Sequence, residues 1–559
     1  TAPEAAMKLR AAVLAFVVSS LSIQAQSGAP GLETIRQEDL KADLYFLGSD
    51  AMKGRLTNTP ENLIASEWIK SRFERLGLAP AVPGYFQNYN LMTVTLGQGN
   101  TLEIVEGGVT SPVAHGQGFS TQRFSATGEA RGPVGFAGYG ISAPDLDHDD
   151  YRAADLIKGS IVLVVDHEPG ERDPNSPFDG VVTSDAGGAL RKAQAAQAKG
   201  AAGILYVSDV HNHPGATPNA GANFWPQQPS RLGTYSLAGW MESIRIPAAA
   251  ISVDLAGKLI KGTGRTLDDL SKSADTPRGV TAVRLPGVEV RLTTAVNRQP
   301  IPDRNVLAKI EGTDARLRDE WVVISAHLDH DGANGPQIMN GADDDGSGTV
   351  GLLEIAEAYA LAAKAGQRPR RSVLFAAFNS EERGLLGAWA YTLQPIAPLE
   401  RTVAVLNMDM IGRNEEVPVP EPAAAAGGRG GGRFNGLDPQ TADSNNNALN
   451  IIGSIRSPDL KAQVEAANET ANKAARLEIR YRYDNNVSQL MRRSDHWPFI
   501  QHGVPGIWIF TGLHPDYHTV NDDPERINYV KMEKILRLVH QMSWTLAQQD
   551  ARPRLLPRK

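Results

Sequence analysis

Cysteine is absent from all 559 residues of this chain. Its absence excludes disulfide bridges, thiolate metal ligands and cysteine nucleophiles, so any metal must be bound by His, Asp and Glu. An excess of basic residues is missing too, because the formal net charge is −7 and the isoelectric point is about 6.0. Such a chain has little positive charge with which to neutralise nucleic-acid phosphates or anionic lipid. We therefore expect no nucleic-acid partner.

Long apolar runs are also scarce, and outside the N-terminus none approaches the ~20 residues of a membrane-spanning helix. Near the N-terminus, Met7, Lys8 and Arg10 precede an apolar run over 11–21, and residues 23–25 offer a cleavage site. This pattern predicts a leader and signal peptide over 1–25 and an exported protein, periplasmic or secreted. A buried N-terminal helix is the alternative, which the basic start and the short apolar core disfavour.

The length of the chain predicts two folded domains, because single cores stop growing near ~250–300 residues. Apolar residues at helical spacing over 33–74 indicate an N-terminal helical cap on a larger domain. Between 127 and 270 the pattern changes to a small β-rich module, with strands at 161–165 and 204–207 and a helix at 189–198.

From Val322 onward, apolar runs typical of buried strands alternate with helical segments. The predicted strands are 322–326, 373–378, 403–408 and 507–510, and the predicted helices are 349–365 and 385–393. This alternation predicts an α/β fold with a doubly wound, mostly parallel sheet and flanking helices. A glycine-rich segment, 421–436, interrupts the pattern and is predicted to be a flexible loop, either a spacer or a lid.

Polar residues follow four of the predicted strands. They are His327 and Asp329, Glu381 and Glu382, Asp409, and His518 after a short loop, and the acidic run 343–345 returns to the same edge. In open α/β sheets ligands bind beyond the carboxyl ends of the strands. Imidazole and carboxylate ligands suit Zn²⁺ or a related divalent ion, and so many carboxylates fit a pair of ions ~3.5–4 Å apart.

Each of these residues also has a purely structural interpretation. A lone His after a strand is usually a polar edge residue, an acidic run before Gly is usually a turn, and Glu before a helix is favourable at the helix N-terminus. All of them together would require separate accidents at successive strand ends, so we favour the metal site.

The assembled pattern resembles metallopeptidase family twenty-eight, the co-catalytic zinc aminopeptidases. The matching motifs are AHLDH at 326–330, GADDDGSG at 341–348, NSEERGLLG at 379–387, NMDMIG at 407–412 and YHTVND at 517–522. MKGRLT at 52–57 extends the match weakly upstream, and residues 127–270 resemble an inserted protease-associated domain. The resemblance implies a zinc exopeptidase fold, with 32–126 as the N-terminal part of the peptidase domain and 288–559 as its main part.

The resemblance implies two zinc ions per chain. His327 and Asp409 would hold one ion, Glu382 and His518 the other, and Asp344 would bridge them. Asp344 is preferred over its two acidic neighbours because the bridging acid of the family is the middle one of the run.

The resemblance also implies three catalytic roles. Asp329 would orient the imidazole of His327, Glu381 would be the general base, and the hydroxyl of Tyr517 would stabilise the oxyanion. His330, His502 and His514 are interpreted as surface or pocket-rim histidines, with a role as spare ligands as the alternative. Residues 494–496 and Phe499 are assigned either substrate positioning or ordinary loop packing.

These expectations predict a metallo-aminopeptidase that hydrolyses the N-terminal bond of peptide substrates. The alternatives are a glutamate-type carboxypeptidase, which needs arginines near the substrate carboxylate, and a receptor-like binding protein that has lost catalysis. Arg383, Arg413, Arg492 and Arg493 cannot be placed from the sequence. The preferred terminal residue and the oligomeric state are left open as well.

Overall fold

The computed structural model describes residues 28–214, 225, 230–419 and 434–557 of the chain. The predicted signal peptide, 1–25, lies outside the described residues, as does all but the last three residues of the glycine-rich segment 421–436. Among the described residues, no helix combines the length and the apolar character needed to cross a bilayer.

The larger of two main sheets contains ten strands. In spatial order nine of them are Ser236–Leu237, Phe86–Leu96, Val296–Ile310, Ser372–Phe378, Trp321–His327, Thr402–Met408, Gly506–Phe510, Ala448–Ile452 and Glu478–Arg480. The tenth, Ala79–Pro80, pairs with Val296–Ile310 on one side.

The centre of this sheet and its edge pair Ala448–Ile452 with Glu478–Arg480 match the predicted parallel arrangement, but the rest does not. The four strands from Ser372–Phe378 to Gly506–Phe510 are parallel to one another, whereas the long ribbon of Phe86–Leu96 and Val296–Ile310 is antiparallel. The prediction of a mostly parallel sheet was therefore wrong, and the fold is mixed α/β. The ribbon was missed because partly exposed residues interrupt its apolar pattern.

Helices cover both faces of the larger sheet. One face packs against Gln37–Leu47, Pro60–Leu76, Gly348–Lys364, Pro458–Asn472 and Tyr529–Gln548. The opposite face packs against Leu386–Leu393 and His496–Gln501. The central strands are therefore buried on both faces, which explains their continuous apolar runs.

The smaller main sheet contains eight strands. In spatial order they are Val109–Val113, Thr101–Glu106, Val283–Thr294, Gly128–Phe136, Ile161–Val165, Gly203–Val207, Ala248–Ile251 and Phe119–Thr121. Its helices are Ala189–Ala198, Ala238–Ser243, Val253–Ile260 and Leu267–Ala274. The sheet draws strands from 101–294, a wider range than the β-rich module predicted over 127–270.

The described residues also form two small two-stranded sheets. One pairs Gly332–Asn334 with Gln337–Met339, and the other pairs Ser142–Ala143 with His148–Asp149. The predicted elements that are built from uninterrupted apolar runs agree with the observed ones to within one residue, as for the strands Ile161–Val165 and Ser372–Phe378 and the helix Gly348–Lys364.

The buried guanidinium of Arg55 ties the N-terminal helices to the end of the larger sheet. It donates hydrogen bonds to the carbonyl oxygens of Leu47, Leu328, Asn340 and Gly341 at 2.7–2.9 Å. A buried carbonyl without a partner is costly, so one side chain here satisfies three separate segments. Two of these segments, around 328 and 340, adjoin the polar strand-end residues.

We expect Arg55→Leu to lower the free energy of unfolding by about 3 kcal/mol or more, because four buried carbonyls lose a charged donor. Arg75→Leu is the matched control, since Arg75 is 60% exposed and lies 3.8 Å from Glu357; it should change stability by less than about 0.5 kcal/mol. Urea unfolding followed by circular dichroism measures both. Equal stability of the two variants would contradict the anchoring role of Arg55.

Candidate metal centre

Four parallel strands deliver polar side chains to one edge of the larger sheet. His327 is the last residue of Trp321–His327, Glu381 and Glu382 follow Ser372–Phe378, and Asp409 follows Thr402–Met408. His518 lies in the loop beyond Gly506–Phe510. The structure brings these residues together at the carboxyl ends of the strands, where ligands bind in such sheets.

The three adjacent acids at 343–345 point in different directions. Asp345 accepts hydrogen bonds from the backbone N–H groups of His327, Gly348 and Met410. Asp343 accepts from the N–H of Gly412. Both carboxylates therefore support loop backbone, and Asp344 is the member of the run that faces the imidazoles of the site.

Asp344 lies between two groups of metal-type side chains. Its Oδ1 is 3.2 Å from Nε2 of His327, and its Oδ2 is 2.9 Å from Nε2 of His518. The first group is His327, Glu381 and Asp409, and the second is His330, Asp344, Glu382 and His518. A single carboxylate thus contacts both groups.

In the first group, Nε2 of His327 is 3.7 Å from Asp409 and 3.8 Å from Glu381. The hydroxyl of Ser494 donates to the carboxylate of Asp409 from the other side. In the second group, Oε1 of Glu382 is 3.2 Å from Nε2 of His518. Tetrahedral ligands around a zinc ion lie about 3.4 Å apart, given bond lengths of ~2.0–2.2 Å, so both groups have the dimensions of a metal site.

His330 belongs to the second group, which corrects its interpretation as a rim histidine. Its side chain is fully buried, with Nδ1 2.7 Å from Oε1 of Glu382 and 3.9 Å from Oδ2 of Asp344. His514 is buried as well, with Nε2 3.2 Å from Asp343. Of the three extra histidines only His502 is exposed.

Asp329 supports this edge mainly through its carboxylate. One oxygen accepts from the N–H of Glu381 at 3.0 Å and the other from the hydroxyl of Thr57 at 3.2 Å. The Nδ1 atom of His327 is closer to the backbone oxygen of Asp329, at 3.1 Å, than to its carboxylate, at 3.7 Å. Asp329 thus fixes the start of the segment that carries Glu381.

Asp331 is a supporting residue that sequence reasoning missed. Its carboxylate lies 3.1 Å from Nδ1 of His518 and 2.5 Å from the guanidinium of Arg383. A carboxylate on the far ring nitrogen is the usual means of orienting a metal-binding imidazole. Its position two residues after Asp329 was the available signal, but the sequence does not say which imidazole it meets.

The buried carboxylates at this edge of the sheet favour nearby positive charge. Burial and the neighbouring Asp409 raise the pKa of Glu381 well above its usual value, against the pull of His327. Burial alone would also raise the pKa of Asp344, but the imidazoles of His327 and His518 beside it hold it well below its ordinary range. The guanidinium groups of Arg383 and Arg493 also lie near these carboxylates and offset part of their charge.

Several atoms of the site also lack hydrogen-bond partners. Within the described residues, Nε2 of His327, Nε2 of His518, Nδ1 of His330 and Oε1 of Glu382 are buried with none. Buried polar groups are normally satisfied, and each of these atoms is a metal ligand type. The residues therefore fit divalent metal ions, with imidazole and carboxylate donors and no sulfur.

A pocket of about 230 Å³ opens onto the site. Leu385, Met410, Trp508 and Leu513 form its apolar lining, and Arg492, Arg493 and Tyr517 lie beside them. The guanidinium of Arg493 donates to the hydroxyl oxygen of Tyr517 at 3.1 Å. This contact holds the hydroxyl of Tyr517 beside the pocket.

Comparison with known proteins agrees with this chemistry. Residues 305–543 match the sequence model of peptidase family M28. The probable glutamate carboxypeptidase AMP1 of Arabidopsis thaliana is 25% identical over 496 residues, which cover 84% of this chain and 61% of the relative. Aminopeptidase NAALADL1 of Mus musculus is 36% identical over 126 residues, covering 22% of this chain and 16% of the relative. The chain thus spans less than two thirds of either curated relative.

Among solved structures, an aminopeptidase from Aneurinibacillus sp. strain AM-1 aligns with a TM-score of 0.47 and 17% identity, over 94% of this chain and 97% of that one. The family match covers every strand end and loop that carries the site. Residues 305–543 of this chain, which carry the site, therefore match peptidase family M28.

Proposed function

We propose that the protein is a two-zinc aminopeptidase that releases the N-terminal residue of peptides. The observation that carries the proposal is the position of Asp344 between two ligand groups at the floor of a small pocket. His327 and Asp409 would hold one ion, Glu382 and His518 the other, and Asp344 would bridge them. His330 is an additional ligand candidate in the second group.

Two bound zinc ions would supply an activated water and polarise the scissile carbonyl. The side chains around them have separate tasks. Glu381, whose backbone is fixed by Asp329, accepts the proton of the attacking water and delivers it to the leaving amine. The hydroxyl of Tyr517, held by Arg493, donates to the oxygen that gains charge on the carbonyl.

The lining of the pocket favours peptides with an apolar first residue. Its volume limits what can enter beyond the scissile bond, and its apolar wall of Leu385, Met410, Trp508 and Leu513 suits an apolar side chain. The signal-like residues 1–25 support export of the enzyme to the periplasm or the medium.

A carboxypeptidase acting on acidic C-terminal residues is the second candidate. Arg492 and Arg493 line the pocket, where a guanidinium can pair with a free carboxylate. Arg383 and Arg413 are instead paired with Asp331 and Asp516. We favour the aminopeptidase because Arg492 and Arg493 already donate to Thr183 and Tyr517.

Substrates blocked at one end distinguish the two candidates. An aminopeptidase should hydrolyse a leucyl peptide whose C-terminus is amidated and should leave its N-acetylated, C-terminally free counterpart intact. A carboxypeptidase should show the opposite preference, most strongly with a C-terminal glutamate. Chromatography of the products with the purified protein measures both reactions. Cleavage of only the acetylated peptide would replace our proposal with the second candidate.

Exhaustive chelation should abolish peptide hydrolysis, and Zn²⁺ or Co²⁺ should restore it, since every candidate ligand is His, Asp or Glu. Metal analysis and activity assays on the same samples provide the measurement. Full activity after complete metal removal would defeat the metallopeptidase proposal. Absence of bound metal together with absence of activity would instead favour a receptor-like binding protein.

Glu381→Gln and Glu382→Gln should have different effects, although the residues are adjacent. The first removes only the proton acceptor, so metal content should be retained while kcat falls by ~10²–10⁴-fold. The second removes a ligand, so metal content and activity should fall together. Metal analysis with steady-state kinetics separates the two cases. Because Glu381 also lies beside His327 and Asp409, metal loss confined to its variant would identify it as a ligand and move the base elsewhere.

A further inference from the structure

A second cluster of metal-type residues lies at the edge of the smaller sheet. His167 and Glu171 follow the strand Ile161–Val165, and His213 follows the parallel strand Gly203–Val207. The carboxyl ends of both strands therefore bring these side chains to one edge. The larger sheet does the same for the candidate metal centre around Asp344, called the M28 site below. None of the three belongs to the ligand groups of that site.

One carboxylate faces both imidazoles. Oε2 of Glu171 is 3.1 Å from Nδ1 of His167, and Oε1 is 2.5 Å from Nε2 of His213. The two rings are stacked, with centroids 4.3 Å apart and an angle of 29° between their planes. One donor atom from each residue lies within 4.8 Å of the others, the arrangement needed to share a single ion.

Hydrogen bonds to buried groups hold the backbone of the cluster in place. The ammonium of Lys192, itself buried, donates to the carbonyl oxygens of Val165 and His167 at 2.8 and 2.6 Å. Asp209 accepts from the N–H groups of His211 and Asn212, and its carbonyl accepts from that of His213.

Asp275 joins the two turns of the cluster. It accepts from the N–H of Gly170 at 2.6 Å and from the side-chain amide of Asn212 at 3.4 Å. The segment that carries Glu171 and the segment that carries His213 are thus tied to the same carboxylate. The cluster is positioned before any ligand binds, which lowers the entropic cost of binding.

An ordinary ion pair explains this arrangement poorly. Oε1 of Glu171 and Nε2 of His213 are buried and, among the described residues, neither has a partner of hydrogen-bonding geometry. Two stacked imidazoles that each carried a proton for the same carboxylate would also repel each other. One divalent cation satisfies both rings and the carboxylate together.

The separations suit a shared ion. Oε1 of Glu171 and Nε2 of His213 need to move apart by only about 1 Å to reach the ~3.4 Å between tetrahedral zinc ligands. A similarly short distance, 2.7 Å, separates Nδ1 of His330 from Oε1 of Glu382 in the candidate metal centre.

We propose that His167, Glu171 and His213 form an additional zinc site in the smaller sheet, separate from the peptidase centre. Two imidazoles and one carboxylate are a common ligand set for zinc, with the fourth position open to water. Because the site is 37–43% exposed at its two histidine side chains, the ion can exchange with solvent.

The test uses untagged full-length protein and zinc as the only probe. Wild type, His213→Gln and Glu171→Gln are dialysed against the same free zinc concentration and analysed for bound metal by mass spectrometry. Each variant should bind one zinc fewer per chain than wild type and keep its peptidase activity. His211→Gln is the matched control, because His211 lies in the same turn, 3.6 Å from Asp268, and outside the cluster.

A second arm makes the result independent of the peptidase proposal. His327→Gln combined with His518→Gln disables the M28 site, and this protein should still bind one zinc that is lost when His213→Gln is added. Circular dichroism confirms that each variant is folded, and Glu171→Gln replaces His213→Gln if the latter is not. Unchanged zinc content in folded His213→Gln and Glu171→Gln, or equal loss in His211→Gln, would overturn the proposal.

Discussion

The burial of four carboxylates at one edge of a sheet is the constraint on which the rest of this structure depends. Asp344, Glu381, Glu382 and Asp409 meet at one edge of the larger sheet, where like charges repel strongly because little water screens them. The protein meets this cost with imidazoles, with backbone N–H groups and with a large core beneath. Bound cations would remove this repulsion, so the folded arrangement of the carboxylates would favour metal binding.

The centre of the fold was predictable because its strands are buried on both faces. Short continuous apolar runs such as 373–378 and 403–408, which alternate with helical segments, indicate buried strands, and their polar ends identify the edge where ligands bind. The antiparallel ribbon of Phe86–Leu96 and Val296–Ile310 was not predictable in this way. Its residues alternate between partial burial and exposure, and pairing between residues 200 positions apart leaves no local pattern.

For the candidate site, the sequence indicated which residues lie close together but not which partner each side chain contacts. The structure places His327, Asp344, Glu382, Asp409 and His518 in or beside two neighbouring groups, and it buries His330 among them. Side-chain direction decides such questions. In the run at 343–345 two acids turn to the backbone and one to the imidazoles, and in the segment after His327 it is Asp331 that reaches His518. Neither division is encoded in residue type.

Side chains near Arg492 contact the module of the smaller sheet in an asymmetric way. Asn485, Gln489 and Arg492 use their side chains to contact the backbone of residues 174–183, which belong to the module of the smaller sheet. Substitutions at positions such as Val181 or Thr183 leave those backbone groups in place, whereas a change at Gln489 removes the contact itself. At these contacts the module can therefore change in sequence while its partners stay constant. Covariation between the two sides would be weak at these positions even though they are in direct contact.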